Sequence, residues 1–191
     1  MKYVKMLGLL AVAAAALMAF AGTASATTVT GPLGEPTPTI HAENENGHVK
    51  LANPIANIEC ASTVEGTVTS HGTGVTASGP IGILTFTGCT NGWHVTVVAP
   101  GSLEVHYVSP GIGTLTSSGA TVSTTRLGVI CNYATANTDV GTVTDSTRVA
   151  TATLHIIATI PIHAGSSALC GTGAAKWEGA YVSTTKLTLD P

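Results

Sequence analysis

Residues 150–160 read ATATLHIIATI, and this stretch decides the fold class. It is filled by β-branched and apolar residues that fit a pleated sheet, and Pro161 ends it because proline cannot donate a ladder hydrogen bond. Similar short segments recur from His48 onward, separated by Gly, Pro, Asn and Ser at intervals of about 8–12 residues. No apolar repeat of helical period follows residues 1–26. The sequence therefore predicts an all-β fold, an antiparallel β-sandwich with a barrel as the alternative.

The turn signals between these segments place the expected strands. They lie near residues 48–52, 55–61, 64–70, 81–88, 93–99, 102–108, 112–117, 120–127, 128–134, 139–144, 148–160 and 177–189. Asn91-Gly92 lies between two of these segments, and Asn-Gly is the strongest short hairpin signal. We therefore expect the strands on either side of it to form a hairpin.

The first 26 residues have the organisation of a secretory signal peptide. Lys2 and Lys5 precede an uncharged apolar run, and Ala-Ser-Ala at residues 24–26 supplies small residues before a cleavage site at Thr27. The alternative is an uncleaved membrane anchor, but the run is rich in Ala and a small-residue exit site follows it. We therefore expect cleavage and a secreted, extracellular protein.

Two regions are expected after cleavage. Residues 27–47 contain three prolines, early glycines and a run of Glu and Asn, which is typical of a flexible, extended leader. Residues 48–191 carry the β-like segments and suit a single all-β domain.

Four cysteines, all beyond the signal, predict two disulfides in an exported chain. Three pairings are possible, and we favour Cys60–Cys89 and Cys131–Cys170 because each bond closes its own half of the chain. A zinc site would need close pairs such as C-x2-C, which do not occur in the sequence. The four cysteines are therefore interpreted as structural.

Charged residues make up only 9% of the chain, and its formal net charge is −3. Of the seven Lys and Arg, two lie in residues 1–26, so five remain in the mature chain. Five scattered cations are too few for a phosphate backbone or an anionic membrane surface. We therefore expect neither nucleic acid nor a membrane as a partner of the mature protein.

Two tryptophans have polar neighbours in the sequence, as Trp93-His94 and Trp177-Glu178. Exposed indoles beside polar groups would form a platform for a carbohydrate or a peptide. Each tryptophan also follows a cysteine closely, and a sandwich core often packs a buried indole against a disulfide. Packing is the favoured interpretation, and these four residues remain weak candidates for ligand binding.

Catalytic and metal-binding motifs do not stand out. The sequence contains neither G-x-S-x-G nor H-E-x-x-H, and its seven histidines include no pair at the i, i+2 spacing of a strand face. Glu104 and Glu178 lie within predicted strands, but they would form a glycosidase pair only if they faced one cleft. We therefore predict no catalytic residue, no metal and no cofactor, and an enzyme is the less favoured interpretation.

The order of the cysteines and their surroundings resembles a known group of proteins. Ile-x-Cys ends at Cys60, GILTFTGC occupies residues 82–89, VIC occupies residues 129–131, and the last cysteine precedes a closing strand with Trp177 and Tyr181. This layout, over about residues 55–189, resembles small secreted, four-cysteine, Thr/Gly-rich proteins of unknown function from high-GC Gram-positive bacteria. The resemblance implies a β-sandwich and carries over no catalytic residue.

These observations favour a non-catalytic extracellular β-domain that binds a surface, a polysaccharide or another polymer, or a protein. Two alternatives stay open, a secreted hydrolase with a non-standard site and a small inhibitor or effector. An acid-rich cleft would favour the hydrolase, and a rigid loop protruding beside Cys170 would favour the inhibitor or effector. A flat aromatic or edge-strand surface would favour the binding domain.

Overall fold

The computed structural model describes residues 27–69, 76–149 and 151–191. Fourteen strands and three short 3₁₀ turns occupy these ranges, and every strand pairing is antiparallel. The strands are β1 Thr28–Thr30, β2 Thr39–Asn44, β3 Val49–Asn53, β4 Ala56–Thr67, β5 Ala77–Thr87, β6 His94–Ala99, β7 Ser102–Ser109, β8 Ile112–Ser118, β9 Thr121–Arg126, β10 Val129–Ala134, β11 Thr138–Thr144, β12 Thr153–Ile160, β13 Ala175–Ser183 and β14 Thr188–Asp190. In the described ranges, no helix is long and apolar enough to cross a membrane.

Most of the strands form one closed sheet. They follow the order β12-β11-β8-β7-β5-β4-β2-β13, and a further pairing of β12 with β13 closes the ring. β3 continues the position of β2 between β4 and β13 after a 3₁₀ turn at Glu45–Gly47. The all-β prediction is confirmed, and of the two predicted architectures the ring corresponds to the barrel.

The alternation of side chains along β12 shows why the sheet closes around an apolar interior. Leu154, Ile156, Ala158 and Ile160 are buried, whereas the residues between them are exposed. Successive strand residues point to opposite faces, so one face of each strand fills the core and the other meets water. The predicted strand at 148–160 therefore exists, although it begins at Thr153 and its Ala150 lies outside the described residues.

A second sheet of three strands, in the order β10-β9-β6, packs against one end of the barrel. Phe86 and Trp177 of the barrel line a small void together with Val122 and Tyr133 of the three-stranded sheet. The short β1–β14 pair packs near the opposite end of the barrel. Val29 of β1 and Leu189 of β14 line a cavity together with Leu154, whereas Ile160, at the other end of β12, lines the void beside the three-stranded sheet. The barrel is thus covered at both ends by strands of other sheets.

The predicted flexible leader at residues 27–47 is wrong. This segment contributes β1, which pairs with β14, and β2, which pairs with β4 and β13. Thr27 is buried, and its hydroxyl accepts a hydrogen bond from the Tyr107 N–H at 3.0 Å. Pro, Gly and Asn around these short strands concealed them in the sequence, because such residues are typical of turns. The predicted signal at 1–26 lies outside the described residues.

The hairpin expected at Asn91-Gly92 is also wrong. Both residues have positive φ in a 3₁₀ turn at Thr90–Gly92, as an Asn-Gly turn favours, but β5 and β6 do not pair. β6 instead pairs with β9 in the three-stranded sheet, while β5 pairs with β4 and β7. Local turn chemistry decides that the chain reverses, and tertiary packing decides where the next strand pairs.

Three predicted segments merge or divide in the structure. The segments at 55–61 and 64–70 form one long strand, β4, and the segment at 177–189 forms two, β13 and β14. The predicted break at Ser62-Thr63 is absent because the sheet accommodates both residues: Ser62 is buried and accepts a hydrogen bond from the Tyr181 hydroxyl, and Thr63 pairs with Thr85. Strand existence was therefore predicted better than strand ends.

Both predicted disulfides are confirmed. Cys60 on β4 is bonded to Cys89, which follows β5, and Cys131 on β10 is bonded to Cys170 in the segment before β13. The first bond joins two neighbouring barrel strands, and the second fixes a long connection to the three-stranded sheet. Two structural disulfides are compatible with an extracellular protein.

Candidate functional site

The two tryptophans that sequence analysis singled out are buried. Trp93 belongs to the core next to the three-stranded sheet, and Trp177 points into the barrel. The Trp177 ring makes edge contacts with Phe86 and Tyr181, at centroid distances of 6.0 and 6.1 Å. Neither indole offers an open face for stacking on a sugar ring or a peptide.

Their polar neighbours lie on different sheets. His94 is exposed on β6, whereas Glu178 is half-buried on β13 between Ile157 and Lys50 of the adjacent strands. No hydrogen bond or ion pair between described residues joins His94 to Glu178. The four weak ligand-binding candidates therefore do not form one surface in this structure.

The two acids considered for a glycosidase pair are far apart around the barrel. Glu104 lies on β7 and Glu178 on β13, and four strand-to-strand steps separate these positions in either direction around the ring. Glu104 approaches His106 instead, at 3.8 Å. Carboxylates on opposite sides of a packed barrel cannot flank one glycosidic bond.

One histidine stands between two carboxylates on the outer face. The Nδ1 atom of His41 lies 3.4 Å from Glu65, and its Nε2 atom lies 3.3 Å from Glu43. Hydrogen bonds to Glu43 and Glu65 raise the pKa of the His41 imidazole, and the bond to Glu43 has the larger effect. Among the residues that the structure describes, no group of three or more His, Cys, Asp or Glu could hold a metal ion.

Backbone conformation points to a different site. Within the described ranges, the non-glycine residues with positive φ are Asn46, Asn91, Asn137 and Leu127. Asparagine tolerates the left-handed region because its short polar side chain bonds locally, whereas a leucine there is disfavoured by contact of its Cβ with the backbone. Leu127 is therefore the exception, and such an outlier motivates a functional hypothesis.

Leu127 occupies the tip of a tight hairpin. β9 ends at Arg126 and β10 begins at Val129, so Leu127 and Gly128 alone form the loop, with φ values of 49° and 79°. Two-residue loops with positive φ at both positions favour Asn-Gly. The Leu127 side chain is 92% exposed, so no contact within the chain compensates for its strained backbone.

The segment between β12 and β13 is fixed along the outer edge of β10. The Ser167 N–H donates to the Ile130 carbonyl at 2.7 Å, and the Ser167 hydroxyl accepts the Ile130 N–H at 3.0 Å. Asn132 is held in the same way, by the His163 N–H at 2.7 Å and the Ser166 hydroxyl at 2.9 Å. These bonds satisfy the edge of β10 and keep the segment rigid.

Two further apolar side chains protrude where this segment meets β10. Leu169 is 69% exposed beside Cys170, and Ile130 is 41% exposed beside Cys131. The disulfide between the two cysteines joins the two segments, and the Cys170 Sγ atom lies 3.1 Å from the Ile130 carbonyl oxygen. We call Leu127, Ile130 and Leu169 the apolar tip.

Sequence reasoning missed the apolar tip, although one signal pointed to it. The predicted strands at 120–127 and 128–134 abut, which requires a very tight turn, and Gly128 lies at the junction. Leucine is not a turn residue, so Leu127 was assigned to a strand. Comparisons with protein-family models, with curated proteins and with solved structures find no match to this chain.

Proposed function

We propose that the mature chain is a secreted, non-catalytic domain that acts by binding a protein partner through the apolar tip. The single observation that carries this proposal is that Leu127 is 92% exposed and has a left-handed backbone conformation. Such a residue lowers the stability of the free protein, and a binding partner gives a physical reason for it.

The energetics of the apolar tip favour association. Moving a leucine side chain from water into an apolar pocket contributes about 1.5–3 kcal/mol. Leu127 and Leu169 retain most of their surface for such a transfer. The hairpin and the disulfide-bonded segment are held in place before binding, so little ordering entropy is lost when a partner closes on them.

The surroundings of the apolar tip favour a protein over other partners. Arg126 is the only Lys, Arg, Asp or Glu in residues 121–134 and 161–170, so this end lacks the basic cluster that anionic lipid surfaces attract. Its exposed groups are aliphatic, whereas sugar-binding surfaces use open aromatic faces. A rigid loop beside Cys170 is the feature expected of an inhibitor or effector, which acts on a protein.

The test compares capture by purified residues 27–191 with capture by two tip variants, L127D and L169D. A matched control, L33D, places the same charge at a leucine that is 90% exposed in the β1–β2 connection. Each protein is immobilised and incubated with proteins from the culture into which the chain is secreted, and the bound proteins are quantified by mass spectrometry.

We expect one or more proteins to be retained by the wild type and by L33D, and to be reduced at least about tenfold by each tip variant, since about 1.4 kcal/mol changes affinity tenfold. Retention that is equal for all four proteins would contradict the proposal. Far-ultraviolet circular dichroism and a count of free thiols show whether each variant is folded and oxidised.

A further inference from the structure

The barrel contains a cavity of about 80 Å³ near the end covered by β1 and β14. Side chains from six different barrel strands line it: Ala42, Val64, Val105, Leu115, Val143 and Leu154. Val29 of β1 and Leu189 of β14 also line it, as do further residues that include Thr67, Ser78 and Thr188. The cavity therefore lies at the opposite end of the barrel from the three-stranded sheet and its apolar tip.

Asp145 is the one ionisable side chain among the described residues that line the cavity, and hydrogen-bond donors occupy both of its carboxylate oxygens. Its Oδ1 atom accepts the Thr147 N–H at 3.0 Å and the Thr147 hydroxyl at 2.6 Å. Its Oδ2 atom accepts the Leu189 N–H at 2.9 Å. These bonds fix β14 to the connection after β11. Both oxygens of the Asp145 carboxylate therefore accept hydrogen bonds from groups of the protein itself.

The lining is mainly apolar, which disfavours water as the occupant. An ordered water needs about two to four polar partners, whereas apolar cavities stay dry and accept apolar molecules. The volume of about 80 Å³ is roughly half of the ~150 Å³ engineered cavity that holds benzene, so the occupant must be smaller or enter only in part.

We infer that this cavity is a binding site for a small uncharged aliphatic group, either a free molecule of a few heavy atoms or the end of an alkyl chain. The apolar lining offers such a group dispersion contacts. The cavity shares no lining residue with the apolar tip. Binding in the cavity is therefore independent of whether the apolar tip binds a protein.

Xenon is the first probe, used with the whole mature chain carrying ¹³C-labelled leucine and valine methyl groups. Xenon under pressure is expected to shift the methyl signals of Leu115, Val143 and Leu154 along a saturable curve, while methyl groups elsewhere change little. Shifts that rise linearly with pressure, or that are spread over the surface, would overturn the inference.

Two variants add one methylene to the lining, V64I and V143I, and should weaken xenon binding at least severalfold. V108I adds the same group at an exposed position of β7 and should leave binding unchanged. If V64I or V143I does not fold, L115A provides the opposite change, because a wider cavity should bind benzene while the wild type does not. Unchanged xenon binding in a folded V64I and V143I, or no benzene binding in folded L115A, counts against the site.

Octanoate, below the concentration at which it forms micelles, distinguishes the two sources of the aliphatic group. Competition between octanoate and xenon would identify the end of an alkyl chain as the ligand class. Saturable xenon binding without such competition would identify a small free molecule. Absence of saturable binding by xenon and by octanoate refutes both.

Discussion

Replacement of Leu127 by asparagine should stabilise the protein. A non-glycine residue such as leucine loses about 1–2 kcal/mol in the left-handed conformation, and asparagine is one of the few side chains that visits it routinely. A fully buried leucine side chain stabilises a protein by roughly 1.5–3 kcal/mol. Leu127 is 92% exposed, so its small buried fraction contributes only about 0.1–0.2 kcal/mol. L127N should therefore gain about 1 kcal/mol.

Thermal and urea unfolding of residues 27–191, with both disulfides intact, measure this change. For a domain of this size, 1 kcal/mol corresponds to a rise in Tm of about 2–4 °C. N137L is the matched control, because Asn137 is also exposed and has a φ of 53°. Leucine at this position should lower Tm by a similar amount.

The same L127N protein should bind its partner more weakly, because the side chain that enters the pocket is gone. Higher stability with lower capture is the combination expected of a residue retained for function at a cost in stability. If N137L is destabilised while L127N is no more stable than the wild type, the backbone of Leu127 is not strained and gives no reason to expect a partner.

Three further outcomes follow from individual contacts. The Y181F variant, read by urea unfolding, should lose about 1–3 kcal/mol, because it removes a 2.8 Å hydrogen bond that the buried Tyr181 hydroxyl donates to Ser62. Adding S62A to Y181F should cause little further loss, and an additive loss would show that the two groups do not interact. Replacing Cys131 and Cys170 by alanine should lower the free energy of unfolding by up to about 4 kcal/mol, because the disulfide closes a loop of 39 residues. The same change should abolish partner capture. Capture at the wild-type level would show that the apolar tip does not depend on this disulfide. Burial acts to raise the pKa of Asp145, but hydrogen bonds from Thr147 and from backbone N–H groups lower it overall. The ionised Asp145 should therefore stabilise the folded protein above about pH 4, and this contribution should decline as the pH falls further. Unfolding free energies from pH 6 down to pH 2 should therefore converge for the wild type and D145N, and parallel curves would contradict this assignment.

The cysteine pairs and most of the strands follow from local features of the sequence. Alternation of apolar and polar residues at period two marks a half-buried strand wherever it occurs, as at residues 153–160. The pairing of Cys60 with Cys89 and of Cys131 with Cys170 joins the nearest cysteines along the chain, where loop closure loses the least entropy. β1 and β2 were missed because their short runs lie among turn residues that dominate the local composition.

The candidate site was less accessible to sequence reasoning. Trp93 and Trp177 carry the chemistry of a binding platform, but the packing of two sheets against each other buries both indoles. Leu127 carries an ordinary apolar side chain, and only its backbone angle and its exposure distinguish it. Neither quantity is encoded by residue type alone, since both depend on how β9 and β10 meet.

By itself, therefore, the sequence indicated most of the extended segments and favoured the pairing of two cysteines within each half of the chain. Each of these depends on residue type, local period or loop length. Only the tertiary structure decided that the strands close into a ring, that Glu104 and Glu178 lie on its opposite sides, and that an apolar cavity remains inside. The physical reason is that strand partners and interior volume result from many long-range contacts acting together, and period-two alternation is equally compatible with several of these arrangements.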